Sequence, residues 1–154
     1  MTLNTDENKS LLFDLFPGLT DDSGFEITSP IDHVYNCIAW ANNVSNIWYW
    51  PYPKLDGVST WPSDNESLHY SNIVEVFRKK GFELCENGDF EENRIKIAIY
   101  VDENDQLTHA ARQDSKGRWK SKLGRLFDIF HGTPHTIENE TYGKAKYFMS
   151  TKYR

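Results

Sequence analysis

Ile95-Lys96-Ile97-Ala98-Ile99-Tyr100-Val101, the turn residues Asp102-Glu103-Asn104-Asp105, and then Leu107-Thr108-His109-Ala110-Ala111-Arg112-Gln113 form the stretch that decides the fold class. Ile95, Ile97, Ile99 and Val101 alternate with Lys96, Ala98 and Tyr100, which is the two-residue period of a strand. The acidic and amide residues between the two segments favour a turn, so the pair predicts antiparallel strands. Asp114-Ser115-Lys116-Gly117 repeats the turn signal, and 118–123 follows as a third strand of the same meander. Farther out, 82–86 reads as a short strand and 142–149 as the last one, while 125–131 fits neither period.

The N-terminal half carries the helical patterns. Leu11, Leu12, Phe13, Leu15 and Phe16 ahead of Pro17-Gly18 predict a short helix or docking arm within residues 1–30. Cys37, Ile38, Ala41 and Val44 recur at helical spacing behind Asn36, a good capping residue, which puts Cys37 in a first turn. Trp48-Tyr49-Trp50-Pro51-Tyr52-Pro53 and Trp61-Pro62 make an aromatic insert near 46–63, too rich in Pro for regular structure and too aromatic for a free linker. Ser63-Asp64-Asn65-Glu66 resembles a helix start, and Leu68, Ile73, Val76 and Phe77 continue it to Lys79-Lys80-Gly81, a basic last turn and a glycine stop. Residues 31–154 are thus expected to form a single α+β domain, with N-terminal helices packed on an antiparallel sheet of about five strands.

At 154 residues the chain is about one domain, and such a domain buries roughly 70% of the surface its unfolded chain exposes. The net charge of -6 argues against a nonspecific nucleic-acid binder, which depends on a basic excess. Arg112, Lys116, Arg118, Lys120, Lys122 and Arg125 concentrate positive charge locally, and they read as a solvated hairpin edge. Two cysteines and no leader-like N-terminus predict a reducing, cytoplasmic location. No segment approaches the ~20 apolar residues that a membrane helix needs.

Cys37 and His109 are the residues with the most chemistry to offer. A thiol attacks carbonyls as thiolate, and a helix N-terminus favours the thiolate through its unpaired N–H groups. His109, flanked by the small Ala110 and Ala111, has room to meet a helix end and act as general base. If the turn loops out Ser115-Lys116-Gly117, Gln113 pairs with Trp119 and Ser121 reaches the face of His109 as an orienting group. Asp128 is the favoured third group, with His131 as another candidate. Tyr35 and Asn36 are candidates for the oxyanion site, and Trp50, Trp61 and Gln113 for the substrate groove. Cys85 has no helix terminus to activate it and reads as a spectator. A zinc site from His33, Cys37 and His109 lacks the usual paired spacing, so no metal or other cofactor is expected.

These blocks, Asp32, Tyr35 to Ala41, Trp50-Pro51, Trp61-Pro62, Lys96-Ile97-Ala98, His109 to Gln113, Gly117 to Gly124, Asp128 to His131 and Tyr142-Gly143, resemble the pattern of an uncharacterised bacterial domain family. At fold level, a cysteine on a helix followed by a histidine on a strand is similar to papain-like cysteine hydrolases of the NlpC/P60 and transglutaminase-like groups. The resemblance implies a papain-like core and thiol-dependent hydrolysis or acyl transfer at an amide of a protein or peptide, as in a protease, deamidase or amidase. It extends to a bacterial effector or toxin role, with delivery into another cell. The Asp-Cys-Ser-Gly block of the peptidoglycan peptidases is missing, which points away from a cell-wall substrate. The alternative is a noncatalytic interaction protein, an inhibitor or antidefence factor, that binds a partner through its aromatic loop.

Overall fold

The meander around Ile95 lies at the centre of a seven-stranded antiparallel sheet. A computed structural model describes residues 3–29, 48–49, 59–60, 68–123 and 127–152. Its elements are α1 (Asp6–Leu15), a 3-10 turn (Pro17–Asp21), β1 (Glu26–Ser29), β2 (Trp48–Tyr49), β3 (Ser59–Thr60), α2 (Tyr70–Arg78), β4 (Glu83–Cys85), β5 (Arg94–Val101), β6 (Leu107–Gln113), β7 (Trp119–Lys122), β8 (Asp128–His131), a second 3-10 turn (Pro134–Ile137) and β9 (Lys144–Lys152). The sheet order is β1-β8-β7-β6-β5-β9-β4, and β2 pairs with β3 in parallel as a separate two-stranded unit.

Two aspartates set the turns of the meander. Asp102 Oδ1 accepts from the N–H groups of Asn104 and Gln106, and Asp114 Oδ1 from those of Lys116 and Arg118. Each side chain takes the place of a backbone acceptor and fixes the reversal locally.

The helices follow local rules with one difference from expectation. Thr5 Oγ1 accepts from the Asn8 N–H at 3.1 Å, Asp6 and Glu7 occupy the first turn of α1, and the helix stops before Pro17. α2 ends at Arg78 with Lys79 as its C-terminal cap, and Gly81 follows with φ +95°, as the spacing predicts. Its observed start is Tyr70, because Leu68 and His69 run extended beside the start of β6. Leu107 N–H donates to the Leu68 carbonyl at 2.6 Å and Tyr70 N–H to that of Asp105 at 2.9 Å, which commits this backbone to the sheet. The expected start at Ser63 and the helix expected behind Asn36 lie outside the described residues.

The expected papain-like α+β core, with N-terminal helices packed on about five strands, is overturned. The described chain is mostly sheet, with seven strands in its main antiparallel sheet and two short helices of 10 and 9 residues. Those helices lie on opposite faces. Ile97 and Ile99 of β5 pack with Ile73, Val74 and Phe77 of α2, whereas Ala98 and Tyr100 pack with Leu12, Phe16 and Leu19 beneath α1. A strand covered on both sides must be apolar on both, and β5 is buried from Ile95 through Val101. Lys96, 2% exposed, is accommodated by a 2.7 Å ion pair to Glu91 Oε2 and a 3.0 Å hydrogen bond to the Asn87 carbonyl.

A β-bulge in β6 decides where His109 points. Tyr100 pairs with His109 and Val101 with Leu107, so Thr108 is skipped. Leu107 therefore joins Val101 and Ala110 on the α2 face, while Ala111 joins Tyr100 on the α1 face. Uninterrupted alternation would put Leu107 and His109 on one face, and the bulge separates them.

Candidate functional site

His109 is fully buried and held on every side that the described residues form. Its ring stacks on Tyr142, with centroids 4.3 Å apart and planes at 7°, and meets the edge of Tyr100 at 5.1 Å. Thr108 Oγ1 donates to the Tyr142 carbonyl, which fastens the covering residue to β6. Nε2 of His109 lies 3.1 Å from Ser121 Oγ. Ser121 Oγ lies 2.8 Å from His131 Nε2, and His131 Nδ1 lies 2.8 Å from the Thr133 carbonyl. The result is a buried line of His109, Ser121 and His131 across three neighbouring strands. Nδ1 of His109 has no hydrogen-bond partner among the described residues.

Burial controls the protonation of both histidines. It holds the His109 imidazole well below its ordinary range, with the neighbouring His131 adding in the same direction. It lowers His131 to about 4, against the opposing pull of the Thr133 carbonyl and the Asp22 charge. Both rings are neutral at physiological pH. Tyr100 is raised well above the ordinary phenol value by burial, then by Glu138 and Tyr142, and its hydroxyl donates to the Pro134 carbonyl.

The register explains the orienting group. Arg112 pairs with Lys120 and Gln113 with Trp119, the pairing expected from looping out Ser115-Lys116-Gly117, and it brings Ser121 to the His109 face. Ser121 in turn pairs with Ile129, so Ile129 and His131 share that face. Asp128 pairs with Lys122 on the opposite side of the sheet. The structure therefore brings Ser121 and His131, and not Asp128, to His109.

Gln113 lies on the His109 face four residues farther along β6, at the wall of a cleft of about 420 Å³ with Trp119, Phe90 and Phe148. Its Nε2 donates to the Gly88 carbonyl at 3.3 Å, and its buried Oε1 has no partner among the described residues. Cys85 Sγ donates to the Asn87 carbonyl at 3.4 Å on an edge strand. Tyr35, Asn36, Cys37, Trp50 and Trp61 lie outside the described residues, as does His33. Among the described residues no three His, Cys, Asp or Glu side chains are grouped to hold a metal ion, and no helix is long and apolar enough to cross a membrane.

Sequence reasoning missed the Tyr142 cover, the Thr133 carbonyl and the part played by Asp22. Both carboxylate oxygens of Asp22 accept from the Gly132 N–H at 2.9 and 2.8 Å, and Oδ2 also accepts from Thr136 Oγ1 at 2.6 Å. This clasp ties the first 3-10 turn to the segment that presents the Thr133 carbonyl to His131. Asp22→Ala is expected to lower stability by about 1–3 kcal/mol, read as a lower urea midpoint at unchanged slope. An unchanged midpoint would mean that the clasp contributes nothing.

The observations define a predominantly antiparallel β domain with a buried His-Ser-His line beneath its N-terminal helix. The chain belongs to a domain family of unknown function, DUF7689, whose pattern matches residues 26–150. No curated protein and no solved structure matches the chain.

Proposed function

We propose that the domain is a thiol-dependent hydrolase of amide bonds in proteins or peptides, with Cys37 as nucleophile and His109 as its general base. The observation that carries this reading is the His109 ring, engaged at Nε2 and without a described partner at Nδ1. A base that takes a thiol proton must touch the sulfur and need not touch solvent, so complete burial is compatible with the role. In the reaction the Cys37 proton passes to His109 and sulfur bonds to the amide carbon. Collapse of the intermediate expels the amine, which leaves with the proton from His109. Water then cleaves the thioester, with its proton again passing through His109, to give acid and free thiol. Gln113 Oε1, in its cleft on the same face, offers an acceptor for a substrate N–H.

A second reading is favoured by the burial of the whole His-Ser-His line: a noncatalytic interaction domain in which that line specifies the core arrangement. One experiment separates the two. Iodoacetamide modification of Cys37, followed against pH in a Cys85→Ser background, is expected to be rapid near neutrality and at least tenfold slower in His109→Ala. A rate equal to that of a free thiol and indifferent to His109 would remove the hydrolase reading and leave the interaction domain.

A further inference from the structure

We infer that Ser121 and His131 are positioning residues that hold His109 in a single tautomer, with the proton on Nε2 and a bare lone pair on Nδ1. The inference deepens the hydrolase reading and rests on it for the use of that lone pair, although the tautomer itself does not depend on Cys37.

The argument starts at a backbone carbonyl. Thr133 O can only accept, and it lies 2.8 Å from His131 Nδ1, so that nitrogen must carry the proton. A neutral imidazole has one N–H, and His131 is neutral at physiological pH because burial lowers it to about 4. Its Nε2 is therefore an acceptor, and among the described residues the donor within reach there is the Ser121 hydroxyl, with Oγ 2.8 Å away. With that hydrogen committed, Ser121 Oγ can only accept from His109 Nε2, 3.1 Å away on the other side. Nε2 of His109 must then be the N–H nitrogen, and Nδ1 is left unprotonated.

Each step follows from donor and acceptor identity, and reversing any one of them faces two lone pairs or two hydrogens toward each other. Direction is thus imposed from the loop that follows β8, through β7, on the ring in β6. Without it a buried neutral imidazole would choose its tautomer by small local differences, and a ring protonated at Nδ1 has no lone pair there to receive a proton. Asp128, on the other face, has no part in the ordering.

Long-range 1H–15N spectra of protein labelled at histidine nitrogens read the tautomers directly, at neutral pH and in the wild type. His109 is expected to show a pyrrole-type Nε2 and a pyridine-type Nδ1, and His131 the reverse. Ser121→Ala is expected to convert His109 to a mixture or to the other tautomer, and Ser121→Thr to restore the wild-type pattern. A wild-type His109 protonated at Nδ1, or a pattern unchanged in Ser121→Ala, would overturn the inference. Should Ser121→Ala fail to fold, the wild-type spectrum alone still decides. In the iodoacetamide assay, Ser121→Ala should slow Cys37 modification severalfold and Ser121→Thr should recover it. Indifference of Cys37 to His109 itself would sink the hydrolase reading while the spectra still decide the ordering.

Discussion

Acidification from pH 6.5 to pH 4 is expected to remove about 3 kcal/mol of stability through His131 alone. The imidazole titrates near 6.5 in the unfolded chain and at about 4 in the fold, and each unit of difference is worth about 1.4 kcal/mol. The sign follows from which state binds the proton first. Above pH 6.5 neither state is protonated at this site, and the fold has its full stability. As the pH falls, the unfolded chain gains a proton that the buried ring refuses, so unfolding becomes easier until the folded value is reached. His109 is depressed by the same burial and adds in the same direction, so the slope is expected to approach that of two protons. Glu91, Asp105 and Asp114, whose carboxyls are held below their ordinary range, add losses once the unfolded chain's carboxylates begin to protonate below about pH 5, so the difference between wild type and a His131 variant, rather than the total slope, isolates the histidine. Urea midpoints at pH 7, 5.5 and 4 for the wild type and His131→Gln would test this. The variant's curve should be flatter by one proton's worth, and parallel curves would show that His131 does not carry the loss.

The same ring shows where the sequence was legible. The β5–β6–β7 meander was readable because its signals are local: alternating side chains, and the turn aspartates Asp102 and Asp114 bonding N–H groups two and four residues on. Pairings between distant segments have no local signal. β1 and β8 pair with each other across about 100 residues and bring the sheet to seven strands where about five were expected. The pairing of the buried Lys96 ammonium with Glu91 likewise has no signal in the alternation of β5. At the candidate site, the step from Gln113–Trp119 pairing to Ser121 was sound because β-sheet register is arithmetic. The preference for Asp128 over His131 rested on its charge and place in the chain. Face parity decides otherwise, since residues 129 and 131 share the face of Ser121 and residue 128 does not. The bulge at Thr108 was invisible for the opposite reason: nothing in Leu107-Thr108-His109 breaks alternation, and only pairing with Tyr100 and Val101 reveals the skipped residue.

Gly143→Ala is expected to cost about 4 kcal/mol, and Gly81→Ala only about 1 kcal/mol, although both glycines have positive φ. Gly81 sits at φ +95° with Thr151 Oγ1, 3.6 Å from an added Cβ, as its nearest neighbour, so an alanine there meets backbone strain and nothing else. Gly143, at φ +68°, presents the same strain and a collision as well. Its added Cβ would overlap the Val101 carbonyl oxygen and stand 2.7 Å from the carbonyl carbon. Those atoms belong to the end of β5, so no side-chain rotation relieves the overlap and the backbone must part. The segment has little freedom to do so, because Gly143 N–H donates to the Asn139 carbonyl at 2.8 Å and the Tyr142 N–H to Asn139 Oδ1 at 2.7 Å. The displaced residue would be Tyr142, whose ring covers His109 and whose carbonyl receives the Thr108 hydroxyl. Stability and the candidate site are therefore coupled at one glycine. Hydrogen exchange should quicken at the amides of Thr108, His109 and Ala110 in Gly143→Ala and stay at wild-type rates in Gly81→Ala. Equal costs for the two variants would mean that the chain relieves the Val101 overlap without moving the cover.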